Sequence, residues 1–175
     1  MNRRTVIRNV VIITAGASLL PSCNAVDEAP SIVLKKISLT GPQEKMLTKL
    51  VDIILPKTNS FIGAKDLKSH EFALIMMDDC NTPEDQKNFT DGMKAFEDGC
   101  KKKFNSSFIK CTVEQKIDWL KEMEASKDEK DSAAKFYKTI KRYTIQSFTS
   151  SKEYLEGVVK YKLVPGSNFK GCIPV

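Results

Sequence analysis

The sequence predicts an all-α fold, a single-domain bundle of about five helices with an irregular C-terminal tail. Apolar residues recur at three- and four-residue intervals through most of the chain, which is the period of a helix. Helix-start signals precede several of these stretches. The length limits the architecture, because a chain of 175 residues with an N-terminal leader holds one core but not two independent ones.

The first predicted helix begins at Thr40-Gly41-Pro42, since proline is favoured at the first helical position, and Pro56 ends it. Its residues at helical spacing are Met46, Leu47, Leu50, Val51 and Ile54. A loop follows, and a second helix is predicted over about residues 64–79. The residues assigned to its apolar side are Leu67, Phe72, Leu74, Ile75 and Met76.

The third predicted helix has the clearest start, at residues 82–85, where a threonine hydroxyl, a proline and two acids stand together. One buried stripe is predicted along it, formed by Phe89, Met93, Phe96, Cys100 and Phe104. The lysines at 101–103 are interpreted as a solvated helix end rather than a phosphate site, because cations favour helix C-termini.

Thr112 and Gln115 match a capping box that opens a fourth helix. Its predicted inward face holds Ile117, Leu120 and Met123, and Trp119 is interpreted as a packing residue. A fifth helix is predicted over about 132–148, with inward residues Phe136, Ile140, Tyr143 and Phe148. A short helix at 152–157 precedes the tail, residues 158–175, whose prolines and glycines predict irregular structure.

Residues 1–22 are predicted to be an export signal, with a basic start, an apolar run over 10–20 and a small residue before the cut. Arg3 and Arg4 resemble a twin-arginine signal, which passes folded cargo. Residues 20–23 resemble a bacterial lipobox, so Cys23 is the predicted lipidation site. Residues 23–39 are then the lipidated N-terminus and a tether, and residues 40–175 the helical domain. The alternative, a transmembrane helix, is disfavoured because a span needs roughly 20 apolar residues.

The leader contains three of the 28 Lys and Arg residues and none of the 22 acids, so removing it lowers the net charge from +6 to +3. A charge of that size without a clustered basic face does not indicate nucleic-acid binding. The leader instead predicts a location in a bacterial cell envelope, on the periplasmic side of a membrane. It does not distinguish the inner membrane from the outer membrane.

Four cysteines remain after Cys23 and are candidates for disulfides: Cys80, Cys100, Cys111 and Cys172. They allow three pairings, and the sequence does not choose among them. Cys172 joined to one of the other three would fasten the tail to the helices. A free, reactive thiol is the alternative use, and the position of Cys100 on a buried stripe disfavours it.

No catalytic, cofactor-binding or metal site is predicted in this chain. His70, the one histidine, is interpreted as a solvated or half-buried residue. Asp78 and Asp79 are adjacent on a helix and so point in different directions, which disfavours a paired-carboxylate site. The cysteine spacings lack the close pairs of zinc sites, and glycine-rich phosphate motifs are absent.

Three stretches resemble the gluconate 2-dehydrogenase subunit 3 family. Residues 50–59, followed by Gly63-Ala64, are similar to that family's apolar helix, Ile-Pro-x-Thr-Asp turn and Gly-Ala helix start. Residues 143–153 are similar to its segment after the last long helix. Residues 161–166 and 171–174 are similar to its C-terminal Pro-Gly and Gly-Cys-x-Pro. The order and spacing hold over roughly residues 42–174.

The resemblance implies a non-catalytic accessory subunit of a large flavin-dependent dehydrogenase that oxidises sugars or sugar acids, often with a cytochrome c subunit. FAD is then expected in the partner and not in this chain. The subunit would carry its partner across the membrane and anchor it through Cys23. This accessory-subunit hypothesis predicts an exposed apolar patch near Phe61, Ile62, Tyr161 and Phe169. A stand-alone surface lipoprotein with an aromatic-lined cleft is the alternative.

Overall fold

A computed structural model describes residues 29–128 and 130–161, and within them the chain forms six helices and no strand. The helices are α1 (Gly41–Ile54), α2 (Ser69–Cys80), α3 (Pro83–Phe104), α4 (Val113–Ala125), α5 (Ser132–Thr149) and α6 (Lys152–Gly157). The predicted all-α single domain is confirmed. In the described part of the chain, every helix is too short or too polar to cross a membrane.

Capping side chains fix where two of these helices begin. Thr82 Oγ1 accepts a hydrogen bond from the Asp85 N–H at 3.2 Å, at the start of α3. At the start of α4, Thr112 Oγ1 accepts from the Gln115 N–H at 3.3 Å, and Gln115 Oε1 accepts from the Thr112 N–H at 2.9 Å. These bonds satisfy donors that a helix's own ladder leaves open, so both predicted starts are confirmed.

The core is built mainly where α3 lies against α5. Phe96 of α3 is fully buried, and its ring centroid lies 5.2 Å from that of Phe108, 5.8 Å from Trp119 and 5.5 Å from Phe136. Tilted rings at these separations attract each other beyond their apolar burial. The α3 stripe is confirmed, with Phe104 only partly buried at its end, and Trp119 is the packing residue predicted.

The predicted second helix is wrong at its start, because α2 begins at Ser69 and not near residue 64. Residues 64–68 form turns, in which the Lys68 N–H donates to the Lys65 carbonyl at 3.0 Å. Lys68 has φ 53°, a left-handed conformation that a right-handed helix cannot continue through. The apolar period of this stretch therefore predicted the helix but not its boundary.

Two isoleucines predicted to face inward are exposed instead. Ile75 of α2 is 46% exposed, because the buried face of α2 is set by Ala73, Leu74 and Met77. Ile117 of α4 is also exposed. The buried face of α4 follows the spacing Lys116, Trp119, Leu120 and Met123, and Lys116 takes the place expected for an apolar residue. Its ammonium reaches the Ile109 carbonyl at 3.0 Å while its methylene stem stays buried.

The second half of the predicted tether lies against the helices rather than acting as a spacer. Ile37 and Leu39 are buried in the core cluster. The carboxylate of Asp78, at the end of α2, accepts the backbone N–H groups of Lys35, Lys36 and Ile37 at 2.8–2.9 Å. Farther back, Ser31 donates both its N–H and its hydroxyl to Glu44 of α1. Residues 31–39 are therefore packed against the helices, through buried Ile37 and Leu39 and through the bonds to Asp78 and Glu44.

Candidate functional site

The loop between α1 and α2 presents Phe61 in a defined position. The Thr58 N–H donates to the Phe61 carbonyl at 3.0 Å, and the Phe61 N–H donates back to Thr58 Oγ1 at 3.0 Å. A Cβ atom on Gly63 would lie 2.7 Å from the Lys57 backbone nitrogen, so only glycine fits this close approach. The loop is thus closed on itself, and Phe61 stands at its tip.

Phe61 begins a row of aromatic rings at one end of the bundle. Its side chain is 47% exposed, and its ring meets the edge of Phe148 at a centroid distance of 6.4 Å. Phe148, near the end of α5, lies 5.1 Å from Tyr154 of α6. Ile62 is partly buried, so only Phe61 of the predicted pair is strongly exposed.

The segment after α6 exposes further apolar side chains, and its backbone is hydrogen-bonded back onto α6. Val158 and Val159 donate their N–H groups to the Tyr154 carbonyl at 2.9 and 3.2 Å, and Tyr161 donates to the Leu155 carbonyl at 2.8 Å. Val159 and Tyr161 are 52% and 50% exposed. We name as the aromatic end surface the set Phe61, Phe148, Tyr154, Val158, Val159 and Tyr161.

The support beneath the aromatic end surface comes from three helices. Ser69, the first residue of α2, donates its hydroxyl to Ser147 of α5 at 3.0 Å. Ser151 caps α6 by accepting the Tyr154 N–H at 3.2 Å. The first bond joins the start of α2 to the end of α5, and the second fixes the start of α6, so the surface rests on ordered elements rather than on a single loop.

The predicted sites are only partly within the described residues. Phe61 and Tyr161 are both exposed side chains, at 47% and 50%. Phe169 and Cys172 lie outside the described residues, as do Cys23, Arg3 and Arg4. Sequence reasoning did not single out Tyr154, Val158 or Val159, although Ser151 three residues before Tyr154 is a recognisable helix cap.

Of the four candidate disulfide cysteines, two lie together. Cys100 Sγ and Cys111 Sγ are 3.7 Å apart, and both side chains are buried. Cys80 is exposed at the end of α2. Burial, together with the neighbouring Cys111 thiol, raises the pKa of Cys100 to about 12.

His70 is buried, contrary to the solvated or half-buried position predicted for it. Its Nε2 lies 4.0 Å from Glu44 Oε1, and its Nδ1 has no hydrogen-bond partner among the described residues. Desolvation lowers the pKa of His70, and it outweighs the opposite effect of Glu71 and Glu44. The imidazole is therefore neutral near pH 7 and acts as a packing residue of α2.

Asp78 and Asp79 separate as predicted, but Asp78 is a structural anchor. Burial raises the pKa of Asp78, yet the three backbone N–H groups it accepts lower the pKa below its usual value. Asp79 is exposed, 3.9 Å from Lys35. Within the described residues, no group of three or more His, Cys, Asp or Glu side chains is placed to hold a metal.

Two clefts of the described part have volumes of about 490 and 590 Å³. The first lies beside α1 and α3 and includes Met46 and Met93. The second, between α3 and α5, has mainly polar and charged walls, and its two phenylalanines, Phe89 and Phe136, are buried below it. Neither cleft offers the exposed aromatic ring on which a sugar stacks.

Comparison with known proteins decides the family of this chain. The family model described as gluconate 2-dehydrogenase subunit 3 matches residues 42–166. This range is more than half of the 175 residues, and it contains the loop with Phe61, all of α2 to α6, and Tyr161. The chain belongs to the gluconate 2-dehydrogenase subunit 3 family. Comparison with curated proteins and with solved structures gave no match.

Membership in the subunit 3 family is consistent with an accessory subunit of a dehydrogenase complex. The matched range includes two of the three sequence stretches that carried the resemblance and the first part, residues 161–166, of the third. It also includes the whole aromatic end surface.

Proposed function

We propose that this chain is a non-catalytic small subunit that binds a flavin-dependent dehydrogenase of sugars or sugar acids, helps its export and anchors it to a membrane. The observation that carries the proposal is the subunit 3 family match over residues 42–166. FAD belongs to the large subunit in this proposal. A cytochrome c subunit would accept electrons from it.

The aromatic end surface is the proposed contact with the large subunit. Exposed aromatic and aliphatic side chains that adjoin one another mark protein interfaces, whereas isolated ones are ordinary. Phe61, Val159 and Tyr161 each expose about half of their surface, and they stand on elements joined by hydrogen bonds. A pre-formed surface loses little conformational entropy on binding, which favours a stable complex.

The N-terminal leader supports the export and anchoring roles. A large subunit that takes up FAD in the cytoplasm crosses the membrane folded, and it can use the twin-arginine signal of a bound partner. Stable membrane anchoring takes more than one acyl chain, and the mature bacterial lipoprotein end carries several. Arg3, Arg4 and Cys23 are the residues proposed for these roles.

Co-purification from the native membrane tests the complex. The tagged full chain, extracted in mild detergent, is expected to bring down a large subunit with flavin absorbance. With Arg3→Lys and Arg4→Lys, both proteins are expected to stay in the cytoplasm. With Cys23→Ser, both are expected in the soluble periplasmic fraction. A colourless monomer from the wild-type chain would contradict the proposal and favour a stand-alone lipoprotein.

A matched pair of double variants tests the contact surface. Val159→Ser with Tyr161→Ser removes apolar area from the aromatic end surface, and Val113→Ser with Ile117→Ser removes a comparable exposed pair from α4. Loss of two central contacts weakens binding by about 2–3 kcal/mol, or roughly 30- to 150-fold. Equal retention of the large subunit by both variants would refute the assigned surface.

A further inference from the structure

The connection between α3 and α4 brings two cysteines together in the interior. Cys100 lies one turn before the end of α3, and Cys111 lies just before the capping residue of α4. The connection bends back through turn bonds, in which the N–H groups of Lys110 and Cys111 donate to the Ser107 carbonyl at 2.9 and 3.1 Å. The two sulfur atoms are left 3.7 Å apart.

We propose that Cys100 and Cys111 form an intrachain disulfide that fastens the end of α3 to the start of α4. A disulfide bond is about 2.05 Å long, so the sulfur atoms need to approach by less than 2 Å. Side-chain rotation and a small shift of the short connection supply such a movement. Among the three pairings open to the four cysteines, this choice leaves Cys80 and Cys172 as the other two.

The reaction is a thiol–disulfide exchange with an oxidised thiol–disulfide oxidoreductase or glutathione disulfide. The Cys111 thiolate attacks one sulfur of the oxidant, whose other sulfur leaves as a thiolate. Cys100, once deprotonated, then attacks Cys111 Sγ in the mixed disulfide and releases the second sulfur of the oxidant. Two protons and two electrons leave the protein, and the oxidant's disulfide is reduced to two thiols.

Burial decides when this exchange takes place. Both sulfur atoms are shielded in the closed fold, and the high pKa of Cys100 leaves little thiolate there. The exchange therefore occurs when residues 105–111 open locally, or before the chain closes. Once formed, the disulfide is inaccessible to external reductants, as expected for a structural bridge.

The bridge stabilises the aromatic part of the core. The closed loop carries Phe108, and α4 carries Trp119, and both rings lie on Phe96. Joining Cys100 to Cys111 limits how far this loop separates from α3 in the unfolded chain, which lowers its conformational entropy. The inference rests on sulfur geometry alone and does not depend on the proposed dehydrogenase partner.

Peptide mapping of the purified full chain tests the pairing. The reduced protein is equilibrated with glutathione and glutathione disulfide, its free thiols are alkylated under denaturing conditions, and it is cut with trypsin without reduction. The expected product joins the peptides 95–101 and 111–116, and dithiothreitol separates them. Alkylation of both cysteines at every redox ratio, or linkage of either one to Cys80 or Cys172, would overturn the proposal.

Thermal unfolding separates this bridge from other cysteine effects. Oxidation is expected to raise the Tm of the wild-type chain and of Cys80→Ser by about 5–10 °C. In the double variant Cys80→Ser with Cys100→Ser, the redox dependence of Tm is expected to disappear. Should that variant not fold, the joined peptides of the wild-type chain decide the question. An equal Tm for the oxidised and reduced wild-type chain would contradict the stabilising role.

Discussion

Replacing Gly92 with alanine tests how closely α3 and α5 approach. The new Cβ would lie 2.6 Å from the Ser132 carbonyl oxygen and 2.8 Å from the Phe136 Cβ atom, and neither atom can swing aside as a flexible side-chain end does. Alanine is about 1 kcal/mol better than glycine inside a helix, which opposes the clash. Overpacking of a core contact costs about 1–3 kcal/mol, and a contact with backbone belongs at the upper end. We expect a net destabilisation of about 2 kcal/mol.

Urea unfolding followed by far-UV circular dichroism measures this difference. Gly157→Ala in α6 is the control, because a Cβ there meets nothing within 4 Å. We expect its free energy of unfolding to stay within about 0.5 kcal/mol of the wild-type value. A Gly92→Ala chain as stable as the wild type would refute the close approach of α3 and α5.

Three further substitutions test the core, the N-terminal segment and the pH dependence. Phe96→Ala removes the ring that three other aromatic side chains contact, and it should lower the free energy of unfolding in urea by about 3–5 kcal/mol. A decrease below about 1 kcal/mol would contradict the central position of Phe96. Asp78→Asn should speed hydrogen exchange of the amides at residues 35–37, whereas Asp79→Asn should not, and equal exchange in both variants would contradict the anchor. Because the pKa of His70 is lowered in the folded chain, the unfolded chain takes up a proton at this residue at a higher pH than the folded chain does. The stability due to this group is therefore present above pH 6.5 and is lost as the pH falls below it. The urea midpoint of His70→Gln should therefore change less between pH 7.5 and 5.5 than the urea midpoint of the wild-type chain does.

Local signals in the sequence predicted most of the helices, because caps and apolar period act within a few residues. The starts of α3 and α4 follow from Thr82 and Thr112, whose hydroxyl oxygens accept hydrogen bonds from the backbone N–H groups three residues ahead. The start of α2 did not follow, since it depends on the left-handed Lys68 at the end of a series of turns. The exposure of Ile117 did not follow from the sequence either, because the burial of the Lys116 stem in its place is a tertiary feature.

The candidate surface was predictable only in part, because the contacts between its elements are tertiary features. Phe61 and Tyr161 were found from the family resemblance, but the ring contacts of Phe148 with Phe61 and with Tyr154 depend on how α5 and α6 meet. The proximity of Cys100 and Cys111 depends on the return of the α3–α4 connection. Sequence spacing left three disulfide pairings open, and the folded connection favours one.

The position of α2 relates the N-terminal segment to the proposed partner surface. Asp78, near the end of α2, holds residues 35–37, and Ser69, at its start, binds the end of α5 beneath the aromatic end surface. The two residues are nine positions apart, which is about 14 Å along a helix. If Cys23 is lipidated as proposed, the eight residues from Cys23 to Ser31, which is bonded to Glu44 of α1, span at most about 26–29 Å. In the proposed complex, this limit would keep a bound large subunit close to the membrane.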